Sequence, residues 1–141
     1  MNRMWDKEGK YKEGFLKEYN HWVLEVSFLQ HTLGCFIIFV KRNVERISEL
    51  NNEELSELKT VMSEIEAAVT KEFKADRFNY LQLGNNLHHL HIHGIPRYQT
   101  QREFNGQKWI DKTWGHPPVW SNKDASSDLV KTLKKTILKY F

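Results

Sequence analysis

The chain has 141 residues, of which 40% are hydrophobic and 28% charged, and its formal net charge is +3. That composition fits one ordinary soluble domain with a real core and excludes a disordered chain. No apolar run approaches the ~20 residues of a membrane helix, no signal-peptide pattern opens the chain, and the small positive excess falls short of a dedicated nucleic-acid binder.

Residues 1–14 mix charges with Gly9 and Gly14 and are expected to form a loose arm. Phe15, Leu16, Tyr19 and Trp22 recur at spacings of three and four, which predicts a short helix over about 12–19. From Trp22 to Phe28 the pattern changes to alternation. Trp22, Leu24, Val26 and Phe28 share one face, and Val23, Glu25 and Ser27 the other, as in a half-buried strand. A turn over 30–34 follows, in which Gly34 supplies backbone freedom. The apolar run from Cys35 to Val40 has the length of a strand covered on both faces, so the two strands read as a hairpin. Cys35 is the only cysteine. It permits neither an intrachain disulfide nor a cysteine-based zinc site, fits a reducing cytoplasm, and reads as a small buried residue.

The clearest helix comes next. Asn51 is placed to cap it, with Glu54 three residues on, and Leu55, Leu58, Met62, Ile65 and Val69 follow at helical spacing. Lys71 and Lys74 suit the negative end of its dipole. Asp76 ends it, residues 78–83 read as a third strand, and Gly84-Asn85-Asn86 turns the chain into a fourth. Beyond Pro96 the sequence is irregular, until Leu129, Leu133, Ile137 and Tyr140 mark a final basic helix. Its lysines, Lys131, Lys134, Lys135 and Lys139, read as a solvated face. Helices set apart from a mostly antiparallel sheet make the fold class α+β.

The fourth strand carries the chemistry. In His89-Leu90-His91-Ile92-His93-Gly94-Ile95-Pro96-Arg97 three histidines alternate with aliphatic residues. A strand points successive side chains to opposite faces, so the spacing puts the imidazoles on one face and Leu90 and Ile92 towards a core. Pro96 closes the segment. Such a row suits two chemistries: neutral imidazoles binding a metal such as zinc, or nucleophilic attack on phosphorus with neighbouring imidazoles managing charge and protons. A histidine-rich exposed strand without a function is the third reading. The preceding Gly84-Asn85-Asn86 turn offers amides suited to phosphate oxygens, whereas no carboxylate lies close after His93.

The run 89–97 resembles the signature of the histidine triad (HIT) family of nucleotide hydrolases and transferases, His-φ-His-φ-His-φ-φ with φ hydrophobic. Its Pro-Arg ending is similar to the branch that includes diadenosine polyphosphate hydrolases. The glycine-led second strand, Gly34 to Arg42, the long helix, and the segment 79–85 fall in the family's order. Arg97-Tyr98 and Trp114-Gly115 resemble a prokaryotic subgroup of small HIT proteins. The resemblance covers residues 15–120, taken as the HIT domain, with 121–141 as a C-terminal tail and helix.

It implies a HIT-like α+β fold: a mostly antiparallel five-stranded sheet with a long helix and a C-terminal helix, joined to a second subunit's sheet in a homodimer. It also implies metal-independent attack by His91 on the α-phosphate of a nucleoside phosphate, dinucleoside polyphosphate or phosphoramidate. The intermediate would be a nucleotidyl-histidine, and the product a nucleoside monophosphate. His91 would have its other ring nitrogen fixed by the His89 backbone carbonyl, His93 would contact phosphate oxygens, and His89 would shape the phosphate and leaving-group side. Asn86 takes the place of a Ser or Thr that touches phosphate, and Ser27 that of an Asp or Asn on the ribose. Gln82 and Asn79 are further candidate substrate contacts. The expected partner is a nucleotide, a purine in the first instance, with no cofactor and no membrane. A metal-dependent hydrolase using the same histidines, and a nucleotide-binding protein with little turnover, are the alternatives.

Three departures stand out. Cys35 replaces a fourth histidine, Ser27 offers a single hydroxyl to the ribose, and Gly94 replaces an aliphatic residue and is expected to loosen the strand's end. Arg97 either pairs with a carboxylate or reaches a phosphate. Trp109, Trp114 and Trp120 read as core or interface residues, His88 as exposed or core-edge, and His31 and His116 as turn residues without a role.

Overall fold

The structure, a computed structural model, describes residues 12–141. The expected arm over 1–14 lies outside them except for its last three residues, which form a single 3₁₀ turn, Lys12–Gly14. The strands are β1 (Phe15–Glu18), β2 (Trp22–Val26), β3 (Phe36–Val40), β4 (Arg77–Leu81), β5 (His91–Arg97), β6 (Arg102–Phe104) and β7 (Gln107–Trp109). The helices are α1 (Asn52–Phe73) and α2 (Ser127–Leu138). Five strands make an antiparallel sheet in the order β1-β2-β3-β5-β4, and β6 and β7 form a separate hairpin.

The predicted helix over 12–19 is instead a turn and an edge strand. Phe15, Lys17 and Glu18 pair with Glu25, Leu24 and Val23 of β2, so that strand's outer backbone groups find partners in the ladder rather than in water. Gly14 permits the approach: a Cβ there would stand 2.5 Å from the Val26 carbonyl oxygen. Residues 15, 19 and 22 match a helical spacing by coincidence, and pairing with the sheet overrides it.

Helix α1 begins where the sequence indicates. The Asn51 side chain accepts from the Glu54 amide at 2.8 Å and the Glu54 carboxylate from the Asn51 amide at 2.9 Å, a complete capping box. Glu54 is buried and also takes two hydrogen bonds from Arg42, whereas Leu55, expected in the apolar stripe, is exposed. Lys74, in the left-handed conformation at φ 59°, ends α1 just before Asp76.

Both helices cover one face of the sheet. Trp22, Leu24, Val26, Phe36, Ile38, Leu90 and Ile92 meet Leu58, Val61, Ile65 and Val69 of α1 and Val130, Leu133 and Ile137 of α2 in one core. The alternate residues Val23, Glu25, Ile37, Phe39, His91 and His93 therefore point to the opposite face. The helices leave that face to the loops, and there the cleft forms. Among the described residues no helix is long and apolar enough to cross a membrane.

Candidate active site

A cavity of about 300 Å³ opens on this second face, within the size range of small-molecule sites. Its floor is β2, β3 and β5, its rim the turn at 83–87, and its far wall the segment bearing Trp120 and Asp124. His91 and His93 lie in it together, their ring centroids 5.0 Å apart and nearly perpendicular.

His89 does not join them. The strand begins at His91, and the His89 ring turns to the Val40 carbonyl at the end of β3. The expected row of three imidazoles is thus a pair, because the chain bends at residue 89 to hydrogen-bond Leu90 to Val44. What His89 contributes is its backbone: its carbonyl oxygen lies 2.8 Å from His91 Nδ1. A carbonyl can only accept, so Nδ1 carries the proton and the lone pair is on Nε2. Phe39 stacks on the same ring at 5.4 Å and fixes its plane.

Electrostatics keep His93 from charging. Burial, then the neighbouring His91 and His31, holds His93 down at about 4 against an ordinary 6.5, so it is neutral near pH 7. Trp120 meets His93 edge to face at 5.0 Å and stacks on His31 at 3.9 Å. His31 Nδ1 accepts from the Ser121 amide at 2.7 Å. The turn residue His31 therefore anchors the wall behind His93, and Trp120 belongs to the site rather than to the core. Neither role had a signal in the sequence, since the irregular stretch after Pro96 gives no period from which to place a loop.

Asn86 and Ser27 line the cavity. Asn86 is exposed on the rim turn, while Ser27 is buried, its hydroxyl accepting from the Leu29 amide at 3.0 Å. Gln82 and Asn79 are not brought to this cavity. Asn79 accepts from Arg97 at 2.6 Å and faces a neighbouring groove with Trp114 and His116. Arg97, 2% exposed, is no phosphate ligand here: it holds Asp111 through two hydrogen bonds of 2.6 and 3.0 Å and takes the Thr113 and His116 carbonyls as well. Its role is to tie the strand to the loop that leads to Trp120. His88 is exposed beside Glu45.

Cys35 is fully buried, and burial pushes its thiol up, away from the reactive thiolate. Glu25 and Asp124 also line the cavity, unassigned by the sequence reading. For Glu25 the signal was present, since it alternates with Ser27 on the same face. Among the described residues no group of three or more His, Cys, Asp or Glu side chains is placed to hold a metal ion.

The sheet, its two helices on one face and its histidine cleft on the other define an α+β domain whose cavity lies on the side of the sheet that the helices leave uncovered. The HIT domain family matches residues 30–100, just over half the chain, and the chain belongs to that family. Solved structures share the fold. A histidine triad protein from Sinorhizobium meliloti is 18% identical, with a TM-score of 0.69 over 94% of this chain and 93% of that one. A hypothetical histidine triad nucleotide-binding protein from Sulfolobus tokodaii is 21% identical, with a TM-score of 0.68 over 89% and 81%. A diadenosine triphosphate hydrolase from Plasmodium falciparum is 15% identical, with a TM-score of 0.68 over 92% and 76%. No curated protein sequence matches the chain.

Proposed function

We propose that the chain is a nucleotide hydrolase or nucleotidyl transferase that attacks an α-phosphate through His91. The observation that carries this reading is the 2.8 Å contact between His91 Nδ1 and the His89 carbonyl, which leaves an unprotonated Nε2 on a ring lining the cavity. Nε2 donates its lone pair to the α-phosphorus, and the bond from phosphorus to the leaving oxygen or nitrogen breaks. The leaving group takes the electron pair and is protonated. Water then attacks the nucleotidyl-His91, the P–N bond breaks, and a nucleoside monophosphate departs with His91 restored. Two successive displacements replace one difficult step.

Neutral His93 and the amide of Asn86 are the polar groups near His91 that would stabilise the phosphate oxygens as charge builds on them. Ser27 would meet the ribose. The substrate is a nucleoside phosphate, dinucleoside polyphosphate or phosphoramidate. We further propose a cytoplasmic homodimer joined through α1 and β4; among the described residues β4 is an edge strand, paired in the sheet with β5 alone. Sedimentation as a monomer at micromolar concentration would contradict the dimer.

The test is a panel of these substrates read by chromatography, with and without chelator. Nucleoside monophosphate should form in both conditions, and quenched wild-type protein should carry the added mass of a nucleotidyl group. His91→Ala should lower turnover by at least ~10³-fold with the fold intact. Near-normal turnover in that variant would overturn the reading. Binding of nucleoside monophosphate with neither turnover nor mass shift would make the protein a binder instead.

A further inference from the structure

Glu25 and Asp124 are the carboxylic residues of the cavity that the proposed reaction does not use, and of the two only Glu25 is buried. It is the fourth of the five residues of β2, is 4% exposed, and forms part of the cavity floor. Its ladder partners are Phe15 of β1 and Ile37 of β3, and Ile37 in turn pairs with His93 of β5. The carboxyl therefore lies two strands from the histidines, or about 10 Å at the usual strand spacing. That is roughly the reach from an α-phosphate across a ribose to the edge of a base. The floor between them, Ile37 and Phe39, is apolar and suits a flat ring. Among the described residues no side chain or backbone group is hydrogen-bonded to the Glu25 carboxyl. The carboxyl opens to the cavity, so its donor and acceptor positions are available to a bound ligand.

We propose that Glu25 is a specificity-determining residue whose carboxyl pairs with an amino-amidine edge of the nucleobase, a ring nitrogen beside an exocyclic amine, as in adenine and cytosine. This rests on the nucleotide reading above and adds the base to it. Burial pushes the carboxyl up to about 8, so near pH 7 it is the neutral acid. A neutral carboxyl donates through its hydroxyl and accepts through its carbonyl. The amidine edge returns the complement, a ring nitrogen that accepts and an amine that donates. Hypoxanthine and uracil also offer one donor and one acceptor, but their acceptor is a carbonyl oxygen, less basic than the ring nitrogen. The strong carboxylic donor therefore bonds them more weakly. An ionised carboxylate only accepts, and its match is the paired N–H donors of guanine. Among the described residues no lysine or arginine lines the cavity beside Glu25 to favour that form. The titratable groups facing it across the cavity are His91 and His93 of β5 and Asp124 of the far wall; Phe15, Ile37 and the 83–87 turn bring none.

Calorimetric titration of the wild-type protein with AMP, CMP, IMP, UMP and GMP tests this. At pH 6.5 AMP or CMP should bind about fivefold or more tightly than IMP and UMP, and comparing AMP with CMP decides between the two sources of the edge. As pH rises past 8 the preference should move towards GMP. Glu25→Gln keeps a donor and an acceptor but not the strong acid donor, so it should bind AMP with a reduced preference over IMP and lose the pH shift. Glu25→Leu should bind AMP and IMP within about twofold of each other. Equal binding of all five by the wild type, or a preference that survives in Glu25→Leu, overturns the proposal while leaving nucleotide binding in place. Failure of every nucleotide to bind would instead remove the function on which it rests.

Discussion

The Phe36 ring occupies the space that a side chain on Gly94 would need. The two residues are direct cross-strand partners on β3 and β5, and a Cβ built on Gly94 would come within 2.1 Å of the ring. Phe36 is fully buried and its ring is also held edge-on by Tyr80 at 6.0 Å, so it has nowhere to go. The glycine was expected to loosen the histidine strand. Instead an aromatic ring covers it and the strand runs on unbroken to Arg97.

The pair should therefore be coupled. Gly94→Val overpacks the site and should cost about 1–3 kcal/mol. In a Phe36→Leu background, where the ring is gone, the same change should cost less, with an interaction energy of at least ~0.5 kcal/mol. Urea unfolding of the four proteins measures it. Additive costs would mean that the ring does not fill this space.

Arg97 and Asp111 are a second buried device, both with side chains 2% exposed. Replacing one partner strands the other charge without water, so Asp111→Asn should cost about 3–5 kcal/mol. The consequence should reach the cavity, because this pair holds the loop that leads to Trp120. Tryptophan fluorescence quenching by acrylamide should rise in the folded variant. A stability loss without any change in quenching would separate the clamp from the site wall.

The histidine strand, the capped helix and the α+β class could be read from the sequence because each rests on a local period or a local hydrogen bond. Asn51 and Glu54 satisfy each other three residues apart, and Leu90 and Ile92 must face the core whatever surrounds them. The misreadings arise where a distant partner decides. Residues 15–18 pair with β2 because that edge needs a ladder, and His89 leaves the row because Val40 and Val44 draw the chain aside. The small hairpin of β6 and β7 did have a local signal, Asn105-Gly106, both with positive φ. Of the cavity, the histidine floor was legible and the Trp120 wall was not. His31 and Trp120 are 89 positions apart and nothing local couples them.

Buried titratable groups set opposing limits on stability with pH. Glu25, at about 8 when folded against an ordinary 4.5, keeps a proton that the unfolded chain has lost, so stability falls as pH rises between those values. His93 and His31, both at about 4 against 6.5, lack protons that the unfolded chain binds, so stability falls as pH drops from 6.5 to 4. From these three groups the optimum lies near pH 6.5. Above it the Glu25 slope alone acts, at up to ~1.4 kcal/mol per pH unit. Melting temperatures from pH 4 to 9 should decline on both sides in the wild type. Glu25→Gln should lose the decline between 6.5 and 8 and keep the acid limb. An unchanged alkaline limb in that variant would place the cause elsewhere.

Asn86 gives the sharpest separation between binding and chemistry on the rim. Its amide can donate to a phosphate oxygen but has no hydroxyl proton to relay, so its proposed part is charge stabilisation alone. That part grows as the phosphorus becomes five-coordinate and its oxygens gain charge. Asn86→Ala should then lower kcat by about tenfold to a hundredfold with little change in KM, since an interaction made chiefly in the transition state is lost. Asn86→Ser restores a donor on a shorter side chain and should recover part of the rate. Asn86 is exposed in a turn, so neither variant should shift the melting temperature by much. Steady-state kinetics on a substrate that the wild type turns over decides the matter. A rise in KM at constant kcat would make Asn86 a uniform binding contact, and no change in either would remove it from the site.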